Sequence, residues 1–200
     1  MPTLVFNVAL EKMSARQWYS RIDQNVILGA LPWKSISQEV TVVLWSGLGF
    51  ELPNSVLNRN NSCRPQLVEK ENVRGVVSMN MDYELFSAVA DRKHWESLGV
   101  KFLQLHTADI FHSPTLDKLN KGVEFMKQIV AEGNTVYVHC KAGRTRSATL
   151  VGCYLIDKHR FTPKEAEIYM KERRPHVFLQ QKQRESLDQY YNQHIKISDQ

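Results

Sequence analysis

The chain reads as an α/β domain whose central, mostly parallel twisted sheet is flanked by helices. Short apolar runs rich in β-branched residues, such as Val73-Arg74-Gly75-Val76-Val77-Ser78-Met79 and Val136-Tyr137-Val138, have strand character. Between them lie segments with apolar residues at three- and four-residue spacing, the period of a helix with one buried face. Strands and helices in alternation call for a parallel sheet covered on both faces.

The elements follow in order. Trp18–Ile22 and Asn25–Gly29 are two short strands around a polar turn at Asp23-Gln24, stopped by Gly29-Ala30-Leu31-Pro32. Residues 39–66 are out of character: Glu39–Trp45 is strand-like, but Gly47, Gly49, Pro53 and Asn58–Ser62 are loop chemistry, so the segment reads as an irregular insertion. Val73–Met79 is a buried strand. A helix is expected over Phe86–Leu98, ended by Gly99, with a strand over Val100–Leu105. Ser113 or Thr115 caps a helix with Pro114 near its start, carrying Leu116, Leu119, Val123, Met126 and Val130 on one face and closed by Gly133. A strand, a signature loop and a helix over Ser147–His159 come next. Thr162-Pro163-Lys164-Glu165 opens a helix with a capping-box pattern, and Gln181–Ile195 forms the last.

Two hundred residues suit one domain, here 18–195, preceded by a segment 1–17. That segment carries Lys12 and Arg16 against Glu11 amid apolar residues, which fits either a targeting sequence or an ordinary packed helix. Three cysteines, Cys63, Cys140 and Cys153, are too few for a disulfide framework and point to a reducing compartment. The balance of 26 basic against 21 acidic residues gives +5, which fits an anionic substrate or an anionic membrane surface and falls short of a nucleic-acid-binding composition. No apolar run reaches the length of a membrane span.

The chemistry concentrates in His139-Cys140-Lys141-Ala142-Gly143-Arg144-Thr145-Arg146-Ser147. Strand, tight loop and helix gather backbone N–H groups at a helix N-terminus, an anion site. A cysteine there is held as thiolate, and an arginine offers a two-pronged fork to phosphate oxygens. Cys140 is therefore the expected nucleophile. The backbone N–H groups of Lys141, Ala142, Gly143, Arg144, Thr145 and Arg146, with the Arg146 guanidinium, form the expected phosphate cradle. Ser147 donates to the thiolate as it departs, and His139 holds the loop rather than serving as the base. A poor alkoxide leaving group needs a general acid from a separate loop, and Asp109 in His106–Pro114 is the candidate. Asp91 and Asp117 read as solvated helix residues. Zinc held by His106, His112, His139 and Cys140 is set aside, because the spacing matches no common ligand pattern and a metal would quench Cys140. No cofactor is needed.

The nine residues match the His-Cys-x-x-Gly-x-x-Arg-Ser signature of the cysteine-based protein tyrosine phosphatases. More narrowly, Trp18-Tyr19-x-Arg21-Ile22, Leu28–Pro32, Glu71–Val76, Met79-Asn80 and Tyr83-Glu84, with Tyr137–Leu155 and Thr162–Ala166, resemble the mitochondrial dual-specificity phosphatases that act on phosphatidylglycerophosphate. The resemblance covers roughly 16–37 and 67–195, and residues 39–66 correspond to nothing in that family. It implies a dual-specificity-phosphatase-like fold and a supporting loop at Asp82, Tyr83 and Glu84, where Met81 stands in place of an acid. It further implies removal of the terminal phosphate from a phospholipid headgroup on the way to cardiolipin, through a cysteinyl-phosphate. Peripheral association at the matrix face of the mitochondrial inner membrane goes with it; without the resemblance, the cytoplasm is the default location. Lys141, Arg144, Lys171, Arg173 and Arg174 are expected around the pocket mouth. The alternatives are a dual-specificity protein phosphatase acting on phosphoproteins and an inactive phosphate-binding module. Oligomeric state is not legible.

Overall fold

The computed structural model describes residues 17–32, 65–85, 89–108 and 112–196. The segment 1–16, most of the expected insertion (39–64) and Asp109 lie outside the described residues. Pro65, at the far end of that insertion, instead opens a wide helical turn, Pro65–Lys70.

Among the described residues five strands form one sheet in the order β1-β2-β5-β3-β4. Strands β1 (Tyr19–Asp23) and β2 (Val26–Gly29) make an antiparallel hairpin, with Tyr19 opposite Gly29 and Asp23 opposite Val26. The turn is closed locally: the Gln24 N–H donates to Asp23 Oδ1 at 2.8 Å. Strands β3 (Val73–Ser78), β4 (Lys101–Gln104) and β5 (Thr135–His139) are parallel to their neighbours. The sheet is therefore mostly parallel, as expected. Strand β5 lies at its centre with every residue buried, which is why it reads as an apolar run without alternation.

Strand parity divides the interior into two cores. Val26, Leu28, Val77, Val136 and Val138 face one side, against Leu119, Val123, Met126, Ile129, Leu150 and Val151. Ile27, Val76 and Tyr137 face the other, with Leu67, Val100, Phe102 and the fully buried Trp95.

Of the helix expected over Phe86–Leu98, residues 86–88 lie outside the described residues, and helix α1 covers only a short part of the rest. It runs only Arg92–Glu96, because Asp91 accepts the His94 N–H as its N-cap and fixes the start there. Upstream, Ala90 N–H bonds the Pro32 carbonyl at 3.0 Å, a tertiary contact that competes with a helical turn. Asp91 is thus a cap and not a solvated helix residue. Asp117 lies in the first turn of α2 (Leu116–Ala131), for which Thr115 is the N-cap residue. Gly99 and Gly133 close their elements at φ +69° and +76°. Helix α3 (Arg146–His159) is buried through Ile156. Helix α4 (Pro163–Arg173) carries the complete Thr162/Glu165 capping box, and α5 (Gln181–Tyr191) continues as a wider turn, Asn192–Lys196.

Helix α2 lies close on the sheet at Gly75, where an added Cβ would stand 2.7 Å from Ile129 Cγ1. Gly75→Ala is expected to lower stability by about 1–3 kcal/mol, the usual cost of overpacking. In urea unfolding, the double variant Gly75→Ala/Ile129→Ala should lose less than the sum of the two singles. Additive losses would mean the contact is not the cause.

Candidate active site

The loop between β5 and α3 is shaped by where its carbonyls go. Lys141 O accepts from Leu31 N–H (3.4 Å), Arg144 O from Phe178 N–H (2.9 Å), and Thr145 O from both the N–H and the hydroxyl of Thr149 (2.9 Å each). The carbonyls of Ala142 and Gly143 accept from the Arg174 guanidinium at 3.3 and 2.9 Å. Every carbonyl from Lys141 to Thr145 is thus drawn away to a donor outside the loop. In a trans peptide plane the next N–H points the opposite way. The N–H groups of Ala142, Gly143, Arg144, Thr145 and Arg146 are therefore the ones left to face the loop's interior, at the N-terminus of α3. Gly143 makes the curvature possible: it sits at φ +64°, and a Cβ there would lie 2.4 Å from Gly29 O.

Cys140 follows β5 and is 3% exposed. Burial pushes its thiol pKa up, but the Arg146 charge, the Ser147 hydroxyl and the N–H groups of Ser147 and Ala142 outweigh it, holding the pKa below the ordinary value. Ser147 Oγ donates to Cys140 Sγ at 3.1 Å. His139 is fully buried and stacks on Tyr137 with centroids 5.5 Å apart. Burial, with the Arg146 charge acting in the same sense, pushes its pKa down to about 3. The ring is therefore neutral at physiological pH, with one N–H and no imidazolium proton to act as a general acid.

Arg146 is 1% exposed. Its Nη1 and Nη2 meet the two oxygens of Glu84 at 2.8 and 3.0 Å, and Nη1 also donates to the Thr107 carbonyl at 2.8 Å and the Met79 carbonyl at 3.4 Å. The expected fork to two anionic oxygens is present, but it is made with a carboxylate of this chain. Burial raises the pKa of Glu84, yet Arg146 and the Met81 N–H (2.9 Å) pull it below the usual carboxylate range. Met81 serves through its backbone, so the absence of an acidic side chain there leaves this contact intact. Asp82 accepts from Gln104 Nε2 and lies 2.9 Å from His106 Nε2, while Tyr83 is 74% exposed.

Other expected residues are placed differently. Arg174 is buried beneath the loop and does not line a mouth. Lys171 pairs with Glu167 at 2.7 Å, and Arg173 stacks over the Tyr169 ring at 3.5 Å. Lys141 is half-buried and Arg144 exposed, with its Nε on the His176 carbonyl at 3.1 Å. Among the described residues no group of three or more His, Cys, Asp or Glu side chains is placed to hold a metal ion, and no helix is long and apolar enough to cross a membrane. The structural part of Arg174 was missed by the sequence reading. One signal pointed to it: Ser20, on the inward face of β1 beside Ile22, is a buried hydroxyl that needs a partner, and Arg174 Nη1 meets it at 3.2 Å.

A thiolate-stabilised cysteine beneath converging backbone N–H groups, with a buried arginine at its side, is the arrangement of a cysteine-dependent phosphatase. Residues 56–193 match the model of the dual specificity phosphatase catalytic domain, and the chain belongs to that family. It is 37% identical over 195 residues to the phosphatidylglycerophosphatase and protein-tyrosine phosphatase 1 of Homo sapiens, spanning 96% of this chain and 84% of that protein. It is 32% identical over 197 residues to the phosphatidylglycerophosphate phosphatase PTPMT1 of Arabidopsis thaliana, spanning 98% of this chain and 49% of that one. The crystal structure of PTPMT1 in complex with PI(5)P superposes with a TM-score of 0.74 at 37% identity, covering 91% of this chain and 99% of the other.

Alkylation of Cys140 by iodoacetamide followed against pH tests the electrostatics. The midpoint should fall below the roughly 8.5 of a free thiol. In Ser147→Ala the thiolate loses a donor, so the proton is held to higher pH and the midpoint rises. A depressed pKa means thiolate stability is present above the unfolded value and lost as pH falls through the folded one. An unchanged midpoint in Ser147→Ala would show that the hydroxyl does not act on the sulfur.

Proposed function

We propose that the chain is a lipid phosphomonoester phosphatase that removes the terminal phosphate of phosphatidylglycerophosphate, giving phosphatidylglycerol for cardiolipin synthesis at the mitochondrial inner membrane. The observation that carries this reading is the 37% identity, across nearly the whole chain, to a human phosphatidylglycerophosphatase, in a chain whose loop keeps the thiolate and its cradle. The +5 charge and the exposed Arg144 beside the exposed Phe178 suit the surface of an anionic membrane.

In this reading Cys140 Sγ attacks phosphorus and the bond from phosphorus to the glycerol oxygen breaks. The departing alkoxide takes the proton of Asp109, and water, giving a proton back to the Asp109 carboxylate, then cleaves the cysteinyl-phosphate, releasing inorganic phosphate and restoring the thiolate. The N–H groups of residues 142–146 carry the charge of the transferring oxygens. Arg146 meets them with the edge formed by Nε and Nη2, since Glu84 takes the end formed by Nη1 and Nη2. Ser147 steadies the thiolate as it is expelled. Lys141 and Thr145 complete the loop, and Asp82 and Tyr83 belong to the turn that presents Glu84.

Support for Asp109 comes from its neighbours in sequence. Two residues before it, the Thr107 carbonyl bonds Arg146; three residues after it, the His112 carbonyl accepts from Gln183 Nε2 at 3.2 Å. Both flanks of its loop are thereby tied down, one of them at the cradle.

Phosphate release should be strong on phosphatidylglycerophosphate in mixed micelles, weak on phosphotyrosine and phosphothreonine peptides, and abolished by Cys140→Ser. Preference for the peptides would make the chain a dual-specificity protein phosphatase. Asp109→Asn should cut kcat on the lipid by about 10²–10⁴-fold, the usual worth of a general acid. It should scarcely alter turnover of p-nitrophenyl phosphate, whose leaving group needs no proton. Equal losses on both substrates would remove Asp109 from that role.

A further inference from the structure

Arg174 is 1% exposed and spends its donors on five oxygens. Two belong to the loop: Nε holds the Gly143 carbonyl at 2.9 Å and Nη2 the Ala142 carbonyl at 3.3 Å. Three belong to the start of the sheet: the carbonyls of Gln17 (3.2 Å) and Trp18 (3.3 Å) and the Ser20 hydroxyl (3.2 Å). The carbonyls of Ala142 and Gly143 share peptide planes with the N–H groups of Gly143 and Arg144. Holding those oxygens from below turns those two N–H groups toward the loop's interior.

We propose that Arg174 is a positioning residue for the phosphate: it sets the two central amide planes of the cradle and references them to β1. The proposal rests on the reading of the loop as a phosphate site. Lysine cannot do the same work, since one ammonium cannot reach two loop carbonyls and three oxygens on the far side at once. Selectivity follows from which planes Arg174 touches. The N–H groups that act on Cys140 are those of Ala142 and Ser147, whose planes carry the Lys141 and Arg146 carbonyls, and Arg174 bonds neither. Its loss should therefore weaken anion binding and leave the thiolate where it is.

The test uses Arg174→Lys, with Trp95→Phe in the second core as a destabilised control remote from the loop. Tungstate affinity, kcat and KM for p-nitrophenyl phosphate and the Cys140 alkylation midpoint are measured on folded protein at low temperature. Arg174→Lys should weaken tungstate binding by about 10–100-fold, the worth of one or two charged hydrogen bonds, and raise KM. Its alkylation midpoint should match wild type. Trp95→Phe should unfold earlier and bind tungstate normally. Should Arg174→Lys fail to fold, Arg174→Gln takes its place. Wild-type tungstate affinity in the Arg174 variant would overturn the proposal, as would an alkylation midpoint that moves with the affinity, the mark of a collapsed loop. A wild-type chain that neither binds tungstate nor releases phosphate would instead defeat the underlying reading of the site.

Discussion

The buried Arg146 guanidinium is the constraint around which the catalytic end of the sheet is arranged. A cation at 1% exposure is tolerable only if its charge and its donors are met. The partners come from separate stretches of chain: Met79 just after β3, Glu84 from the short turn at Asp82–Glu84, and Thr107 after β4. None of these segments is near α3 in sequence. Each is fixed relative to the others because each presents an oxygen that accepts from the same planar group. Removing Glu84 would leave a buried charge, so this turn belongs to the structure of the site as well as to its chemistry.

A second constraint acts through the backbone. Amide N–H groups converge on a point only if the carbonyls sharing their planes have somewhere else to go. Around this loop the acceptors are satisfied from every side: Leu31 after β2, Arg174 from below, Phe178 beyond α4, and α3 itself. Gly143 supplies the positive φ, and Gly29 lies so close that no side chain fits between them. The cradle is therefore a property of the packed domain, and an isolated peptide of the same nine residues would lack it.

These two constraints explain what was legible in the sequence. The β1–β2 hairpin, the Thr162/Glu165 capping box and the helix from Leu116 are encoded by residues within a turn or two of one another, and they stand where the pattern put them, the hairpin turn falling one residue later at Gln24-Asn25. Cys140, Ser147 and Arg146 are brought together because strand, loop and helix are contiguous. Within the described residues the helix expected over Phe86–Leu98 starts only at Arg92, because Asp91 caps it there and Ala90 is engaged by Pro32, a contact no local pattern announces. Arg174 was misread for a related reason. Beside Lys171 and Arg173 it reads as one of a basic set around the pocket mouth; the buried Ser20 hydroxyl calls for a partner, but the fold is what brings the third member of that set inward to meet it and the loop carbonyls.

Charge balance explains why the amides matter so much. With His139 neutral, the charges buried at the loop are Arg146 and Arg174 against Glu84 and the Cys140 thiolate, which together sum to zero. A phosphate entering such a site meets an arginine whose charge is already countered. Long-range attraction from side chains is correspondingly weak, and the short-range N–H groups with the N-terminus of α3 must supply most of the binding. That division suits turnover. Oriented dipoles bind strongly only at contact and lose their hold as the product moves away, whereas an uncompensated buried cation would retain inorganic phosphate after the reaction. Glu84 thus holds Arg146 in place and at the same time limits how tightly the site grips an anion.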